Sequence, residues 1–385
     1  MKYNSNSLKN LVSFTSKGIA PKYAKSDDDN SILVLNQKCN RDGKISLKNA
    51  RYNNLSKRKV SKEKILNDKD ILINSTGVGT AGRIAQIRKD QLINPITVDS
   101  HMIILRPSKN INPDYLGYAL KAKQKLVESY AEGSTGQTEI NRQRLLDDTV
   151  IRYPSIGEQE KIANIFLNLD RKIEKNNQIN DNLLELAKTI FKNIIKTSSL
   201  HALTINDVGT VIGGGTPSKK VPKYWNGNIP WISPKDLSNH PNVFTSHGEN
   251  SITQNGLDHS STKILPKKTV LFSSRAPIGY ISIANNEITT NQGFKSVIPN
   301  KNYPFWFIYE LLKSETPKII NEANGSTFKE ISGGKLKQHK ICIPTSIEVI
   351  KYNSIFLPIF EKIQQSEKEI DKLNQIKDIL LNKFF

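Results

Sequence analysis

From Glu158 to Ile195 apolar residues recur at steps of three and four with no glycine or proline between them. That spacing keeps one seam along one side of a helix, so the pattern predicts a single rod. At about 1.5 Å per residue, about 38 residues reach roughly 57 Å, and so long a helix with one apolar seam needs a partner. The sequence supplies it. From Ile151 onward the pattern returns 190 residues later, placing Ile162, Phe166, Leu169, Ile173, Asn176, Asn180, Leu183, Ala187, Ile190 and Ile194 opposite Tyr352, Phe356, Ile359, Ile363, Ser366, Ile370, Leu373, Lys377, Leu380 and Phe384. The two seams are expected to pack against each other as a coiled coil. Asn176, Asn180, Ser366 and Lys377 are read as register pins, because a slipped pairing would bury a polar group without a partner. Pro358 is placed near the start of the second rod, over 354–384, where a first-turn proline is tolerated; further in, it would kink the helix.

Each rod follows a region with a different rhythm. Short β-branched runs at Ile32–Leu35, Ile71–Ile73, Arg83–Ile87 and Met102–Leu105 are separated by Asn, Asp, Gly and Pro clusters and read as strands. Tyr115–Tyr130 reads as a helix with Asp114 as its cap. Strand-like Thr269–Ser273 and Tyr280–Ala284, and the helix Trp306–Lys313, repeat the scheme. The expected fold is α+β: two mixed α/β globular heads, with an internal two-fold repeat, on two long helices. The boundaries fall at 1–156, 157–197, 198–345 and 346–385.

Composition narrows the partner. The 56 Lys and Arg against 36 Asp and Glu leave a formal charge of +20, a field suited to a polyanion, with nucleic acid first among candidates. No run approaches the roughly 20 apolar residues of a membrane span, and Met1–Leu11 lacks the apolar core of a signal peptide. A cytoplasmic protein without membrane contact is expected. Cys39 and Cys342 lie in different halves, neither in a CxxC pair, so no disulfide framework or zinc ribbon is indicated.

Catalytic motifs fail on context. Gly77–Gly82 spells GxGxxG, but a strand rather than a helix is expected after it, so a tight strand-to-strand turn is the better reading. Asn112-Pro113-Asp114-Tyr115 resembles a methyltransferase loop yet lacks its second proline and reads as a helix start. The six histidines show no i, i+4 pair, and Gly213–Ser218 lacks the ending of a P-loop. No metal and no catalytic residue is assigned.

What remains are polar, basic and aromatic loop residues, present in both heads. In the first head these are Lys22, Tyr23, Gln37, Lys38, Arg41, Asn74, Ser75, Thr76, Ser134, Thr135, Gln137 and Arg142. In the second they are Thr216, Ser218, Lys219, Lys220, Tyr224, Trp225, Trp231, Ser273, Ser274, Arg275, Ser326, Thr327 and Lys329. Gln, Asn and Arg can read base edges, while Ser, Thr and Lys hold phosphates. The other readings open at this point are an enzyme acting alone on nucleic acid and an RNA-binding scaffold.

At these residues the chain resembles the DNA-specificity subunit of bacterial type I restriction-modification enzymes. The first head carries KGIAPKY from Lys17, DILINSTGVGTAGRIA from Asp70 and GSTGQTEINR from Gly133; the second carries GGGTPSKKVPKYWNGNIPWISPKDL from Gly213, then SSRAPIGYISI and GSTFKEI. The resemblance implies two target-recognition domains reading a split site in double-stranded DNA, spaced by two conserved antiparallel helices. It implies no cofactor in this chain: S-adenosylmethionine would sit on two modification subunits that methylate adenine, and ATP and Mg on a restriction subunit. The first head lacks the GTPS and YWNG signature of the second, so the heads are expected to read different half-sites. Glu158 is followed by Gln159 but Glu348 by Val349, which departs from the repeat at the expected docking surface.

Overall fold

A computed structural model describes residues 2–24, 30–133, 138–275, 277–325 and 329–385. The chain divides into two compact units, Met1–Lys172 with Leu373–Phe385, and Ile173–Lys372. Both boundaries fall inside long helices, so each unit holds one length of each.

In the first unit an antiparallel sheet has the order Val12–Lys17, Met102–Pro107, Ile71–Asn74, Ile84–Gln86. Side chains alternate between its faces, and both faces are covered. Ile71, Ile73, Ile103 and Leu105 join a core with Tyr115, Leu116, Leu120 and Phe166. Leu72, Ala85, Met102 and Ile104 join another with Leu35, Ile96 and Val98. Double burial explains why these strands read as nearly unbroken apolar runs. In the second sheet, Ser31–Leu35 pairs antiparallel with Arg51–Asn54 and parallel with Ile96–Val98. The strand Asn4–Ser7 pairs with Val150–Tyr153 at the foot of the long helix.

The second unit repeats this plan. Its larger sheet runs Gly209–Gly213, Lys295–Pro299, Val270–Ser274, Ile278–Ala284, with Phe244–Thr245 added at the edge. Its smaller sheet has Trp225–Ile232 antiparallel to Asn250–Ile252 and parallel to Thr289–Thr290. His201–Thr204 pairs with Lys340–Ile343. Strand order and direction match the first unit, so the duplication extends through the heads as well as the rods.

The first rod is one helix, Ile156–Thr197. The second is a short helix Ser346–Lys351 followed by Asn353–Phe384. Within each unit their segments run in opposite directions. In the first, Phe166 lies 6.3 Å from the Phe384 ring and Asp170 pairs with Lys377. In the second, Asn176 donates to Glu369 at 2.8 Å, and Ala187, Phe191 and Ile194 share a core with Phe356, Ile359 and Ile363. Every seam residue named above is buried or half-buried, including Leu169, Leu183, Ile190, Ile370, Leu373 and Leu380.

Four expectations need correction. Asn112, not Asp114, caps the helix Pro113–Ala122 by accepting from the Tyr115 amide at 2.9 Å. Asp114 is buried instead, held by Lys69 at 2.8 Å and by Arg88. The helix expected over Tyr115–Tyr130 is two, Pro113–Ala122 and Gln124–Glu128, broken at Lys123 with φ −97° and ψ 13°. Pro358 lies in the sixth position of its helix, beyond the first turn, where its missing N–H leaves the Ser354 carbonyl without its usual donor. The helix placed at Trp306–Lys313 runs over Phe305–Glu322, continuing through Pro317, with buried Ile319 anchoring the extension.

Candidate nucleic-acid interface

In both units the third strand of the larger sheet ends in a corner with the same backbone frame. In the first unit the Ser75 amide donates to the His101 carbonyl at 2.8 Å, and the Ile140 amide to the Ser75 carbonyl at 2.7 Å. In the second, the Ser274 amide donates to Gly293 at 2.7 Å and the Ile331 amide to Ser274 at 3.0 Å. Thr76 then bridges Glu139 in the first, as Arg275 bridges Glu330 in the second. On this shared frame the side chains differ. The first corner has Thr76 Oγ1 at 2.8 Å from His101 Nδ1 and a Lys17–Glu139 ion pair. The second has Arg275 donating to Glu330 at 3.4 Å. Burial pushes the nearby Lys295 ammonium below its ordinary pKa.

Beside the first corner an open cleft of about 500 Å³ is lined by Lys17, Glu132, Glu139, Ile140, Asn141 and Arg142. Gln37 joins the same cluster: its carbonyl accepts from Asn74 Nδ2 at 3.2 Å and its side chain from Thr80 at 3.3 Å. The Arg51 guanidinium sits 3.5 Å over the Tyr23 ring. Burial, then the Asp99 carboxylate, raises the pKa of that phenol, which stays a neutral donor at physiological pH.

The second unit replaces this polar cluster with aromatic rings packed against a glycine-rich loop. Trp225 donates to the Ser218 carbonyl at 3.1 Å and Trp231 to Gly215 at 3.0 Å, with the two rings edge-on at 5.1 Å. Tyr224 stacks on His259 at 5.6 Å. The glycines are there because backbone passes close by. A Cβ on Gly214 would fall 1.9 Å from the Asn291 carbonyl oxygen, and one on Gly215 2.4 Å from the Thr262 nitrogen. Thr216 meets Gln292 at the loop's exit.

The candidate residues therefore sort by exposure. Lys22, Tyr23, Lys38, Arg41, Arg142, Ser218, Lys219, Lys220 and Lys329 are exposed, and Gln37, Thr76, Thr216, Tyr224, Trp225 and Arg275 are half-buried. Asn74, Ser75, Trp231, Ser273 and Ser274 are buried and shape the loops from within, which corrects their expected role as surface readers. The Ser273 hydroxyl, for example, donates to Pro277 at 2.8 Å and accepts from the Tyr280 amide at 2.7 Å. Ser134, Thr135, Gln137, Ser326 and Thr327 lie outside the described residues. Sequence reasoning passed over His101, Lys17, Gln292 and Arg51. Glu139 and Glu330 lie within the GSTGQTEINR and GSTFKEI segments but were not singled out as members of a site. Gln159 is buried, accepting from the Asn112 amide at 2.9 Å and donating to Pro154 at 2.9 Å, and Val349 is likewise interior.

Among the described residues there is no cluster of three His, Cys, Asp or Glu side chains that could hold a metal, and no helix long and apolar enough to cross a membrane. Two similar heads with basic, polar loops on paired helices define a duplicated recognition protein, and comparison with known proteins supplies its family. The family pattern described as the type I restriction modification DNA specificity domain matches residues 8–185 and again 201–377, and the chain belongs to this family. It is a family of DNA-recognition subunits rather than catalysts, and this chain carries two recognition domains. The chain is similar to the type I restriction enzyme MjaIX specificity subunit of Methanocaldococcus jannaschii, 40% identical over 183 residues, 47% of this chain. That match spans 42% of the MjaIX subunit, less than half its length. The HindI specificity subunit of Haemophilus influenzae is 22% identical over 83% of this chain and 86% of its own. In fold, the chain is similar to the crystal structure of the type I restriction-modification system S subunit from M. genitalium, with TM-score 0.62 and 16% identity over 100% of this chain and 96% of that one.

Proposed function

We propose that this chain reads a bipartite, asymmetric target in double-stranded DNA, one half-site per recognition domain, and directs adenine methylation and restriction carried out by partner subunits. The observation that carries the reading is the pair of corners: one backbone frame, built twice, bearing unlike side chains. Identical frames would approach the duplex alike, and different side chains would select different bases. The +20 charge supplies sequence-independent attraction to phosphates.

In this reading the paired helices set the gap between half-sites and carry two modification subunits, with a restriction subunit completing the assembly in the cytoplasm. S-adenosylmethionine, ATP and Mg belong to those partners, and this chain contributes recognition alone. The test is footprinting of the chain purified with its modification subunits. The expected result is protection of one sequence with two unlike halves and a fixed gap; protection indifferent to sequence would contradict the reading. Structured RNA should compete poorly, because A-form helices hide the major-groove edges these loops would read.

A further inference from the structure

The turn joining Ile71–Asn74 to Ile84–Gln86 carries Val78 at its tip, with 73% of its surface exposed. Its base is stiff. Gly77 and Gly79, at φ 105° and 70°, hold a backbone shape that a side chain would oppose. The amides of Thr80 and Ala81 both donate to the Gly77 carbonyl, at 3.1 and 2.9 Å, and Arg83 donates to the Gly79 carbonyl at 3.0 Å. A Cβ on Gly77 would meet Thr80 Oγ1 at 2.4 Å, whereas one on Gly79 would meet nothing within 4 Å. The base of the turn is packed against Gln37 and Thr80; the tip stands clear of the protein.

An apolar side chain held out on a rigid support gains nothing in the free chain and gains only when something apolar covers it. Its neighbours, Gln37, Thr76 and His101, are hydrogen-bonding groups of the kind that face base edges. On those edges the thymine C5-methyl is the apolar group a short side chain can meet. Valine is also shorter than the Phe, Leu, Ile and Met wedges that pry base steps apart from the minor groove. We propose that Val78 is a specificity-determining contact of the first recognition domain, its methyl groups packing on the C5-methyl of a thymine in the major groove of the first half-site. This rests on the DNA-reading function proposed above.

The test uses the full chain with its modification subunits and duplexes carrying its own target, with each thymine of the first half-site replaced in turn by uracil, which lacks only that methyl. At one position the replacement should weaken wild-type binding about fourfold, equivalent to about 0.8 kcal/mol for one buried carbon. Val78→Ala should bind the thymine and uracil duplexes there equally, while second half-site preferences stay unchanged. Sequence-specific binding with no uracil position that separates wild type from Val78→Ala would overturn the assignment, as would a first half-site without an A·T pair. Uniform weakening of Val78→Ala on every duplex would also overturn it. Absence of sequence-specific binding by the wild type would overturn the proposed function itself.

Discussion

At corresponding places in the repeat, the two units join head to helix pair with opposite chemistry. In the first, Asp170 pairs with Lys377, the Tyr118 hydroxyl donates to Asp170 at 2.7 Å, and Lys121 lies beside them. In the second, the matching positions are Phe360, Ala187, Tyr309 and Leu312, all buried, with the Tyr309 and Phe360 rings edge-on at 5.6 Å. The halves share a fold but are not interchangeable. A first rod facing a copy of itself would set Asp170 against Ala187 in place of Lys377, and a second rod facing itself would set Lys377 against Phe360. Either pairing removes the partner of a buried or half-buried charge, which favours pairing of unlike halves.

The sharpest way to break this contrast is to move charge into the apolar unit. Ala187→Lys should destabilise the second unit by about 3–5 kcal/mol, since the ammonium would be buried without a partner. Adding Phe360→Asp should recover part of that loss. All three tryptophans, Trp225, Trp231 and Trp306, lie in the second unit, so the thermal midpoint by tryptophan fluorescence reports this directly. An unchanged midpoint would mean the corner is not close-packed.

The converse change, Lys377→Ala in the first unit, should cost about 1–3 kcal/mol, less because the Asp170 side chain keeps 37% of its surface in water. Burial works to raise the Asp170 carboxyl, but Lys377 and the Tyr118 hydroxyl outweigh it and hold it below the usual carboxylate range. Circular dichroism melting of Lys377→Ala, Asp170→Asn and the double variant measures the coupling; additive losses would contradict a direct pair.

The units should also respond to pH in opposite senses. Burial pushes the Glu310 carboxyl up to about 7, against the pull of Lys313 and Lys188, and its Oε1 has no hydrogen-bond partner; burial likewise pushes Glu367 up to about 7. Between the unfolded value of 4.5 and about 7 the folded state holds protons the unfolded state has released, so stability falls as pH rises through that window and levels off above it. The first unit has Ala119 where the second has Glu310. There, burial and then Lys377 press Lys121 down to about 8 from 10.5, so its contribution rises with pH between those values. Glu310→Gln should flatten part of the acid-side slope and stabilise the second unit at pH 8 by about 1–2 kcal/mol. A slope identical to wild type by tryptophan fluorescence would contradict the assignment.

The smallest effect should come from exposed cations. Lys219→Ala with Lys220→Ala should reduce the slope of log affinity against log salt by about 0.9 for each phosphate no longer neutralised, leaving sequence preference intact. Altered base preference in a binding-site selection would instead make them base readers.

The rods were legible because their three-and-four spacing recurs over many turns, and the strands because double burial leaves unbroken apolar runs such as Ile71–Ile73. The break at Lys123 was not, since no glycine or proline marks it. Pro317 resembles a stop, yet buried Ile319 holds the helix past it. At the corners, Ser75 and Ser274 look like surface hydroxyls in sequence, and only the strand frame shows them turned inward. Lys17 at the end of one strand and His101 in the turn before another reach Glu139 and Thr76, a proximity that linear spacing does not encode.

One frame, built twice with unlike side chains, should read two unlike half-sites. A map of methylated adenines in the host genome, with and without this chain, tests it most directly. One motif with two different halves at a constant gap should appear, and it should be lost when the chain is removed. A motif with identical halves, or methylation unchanged by its removal, would contradict it.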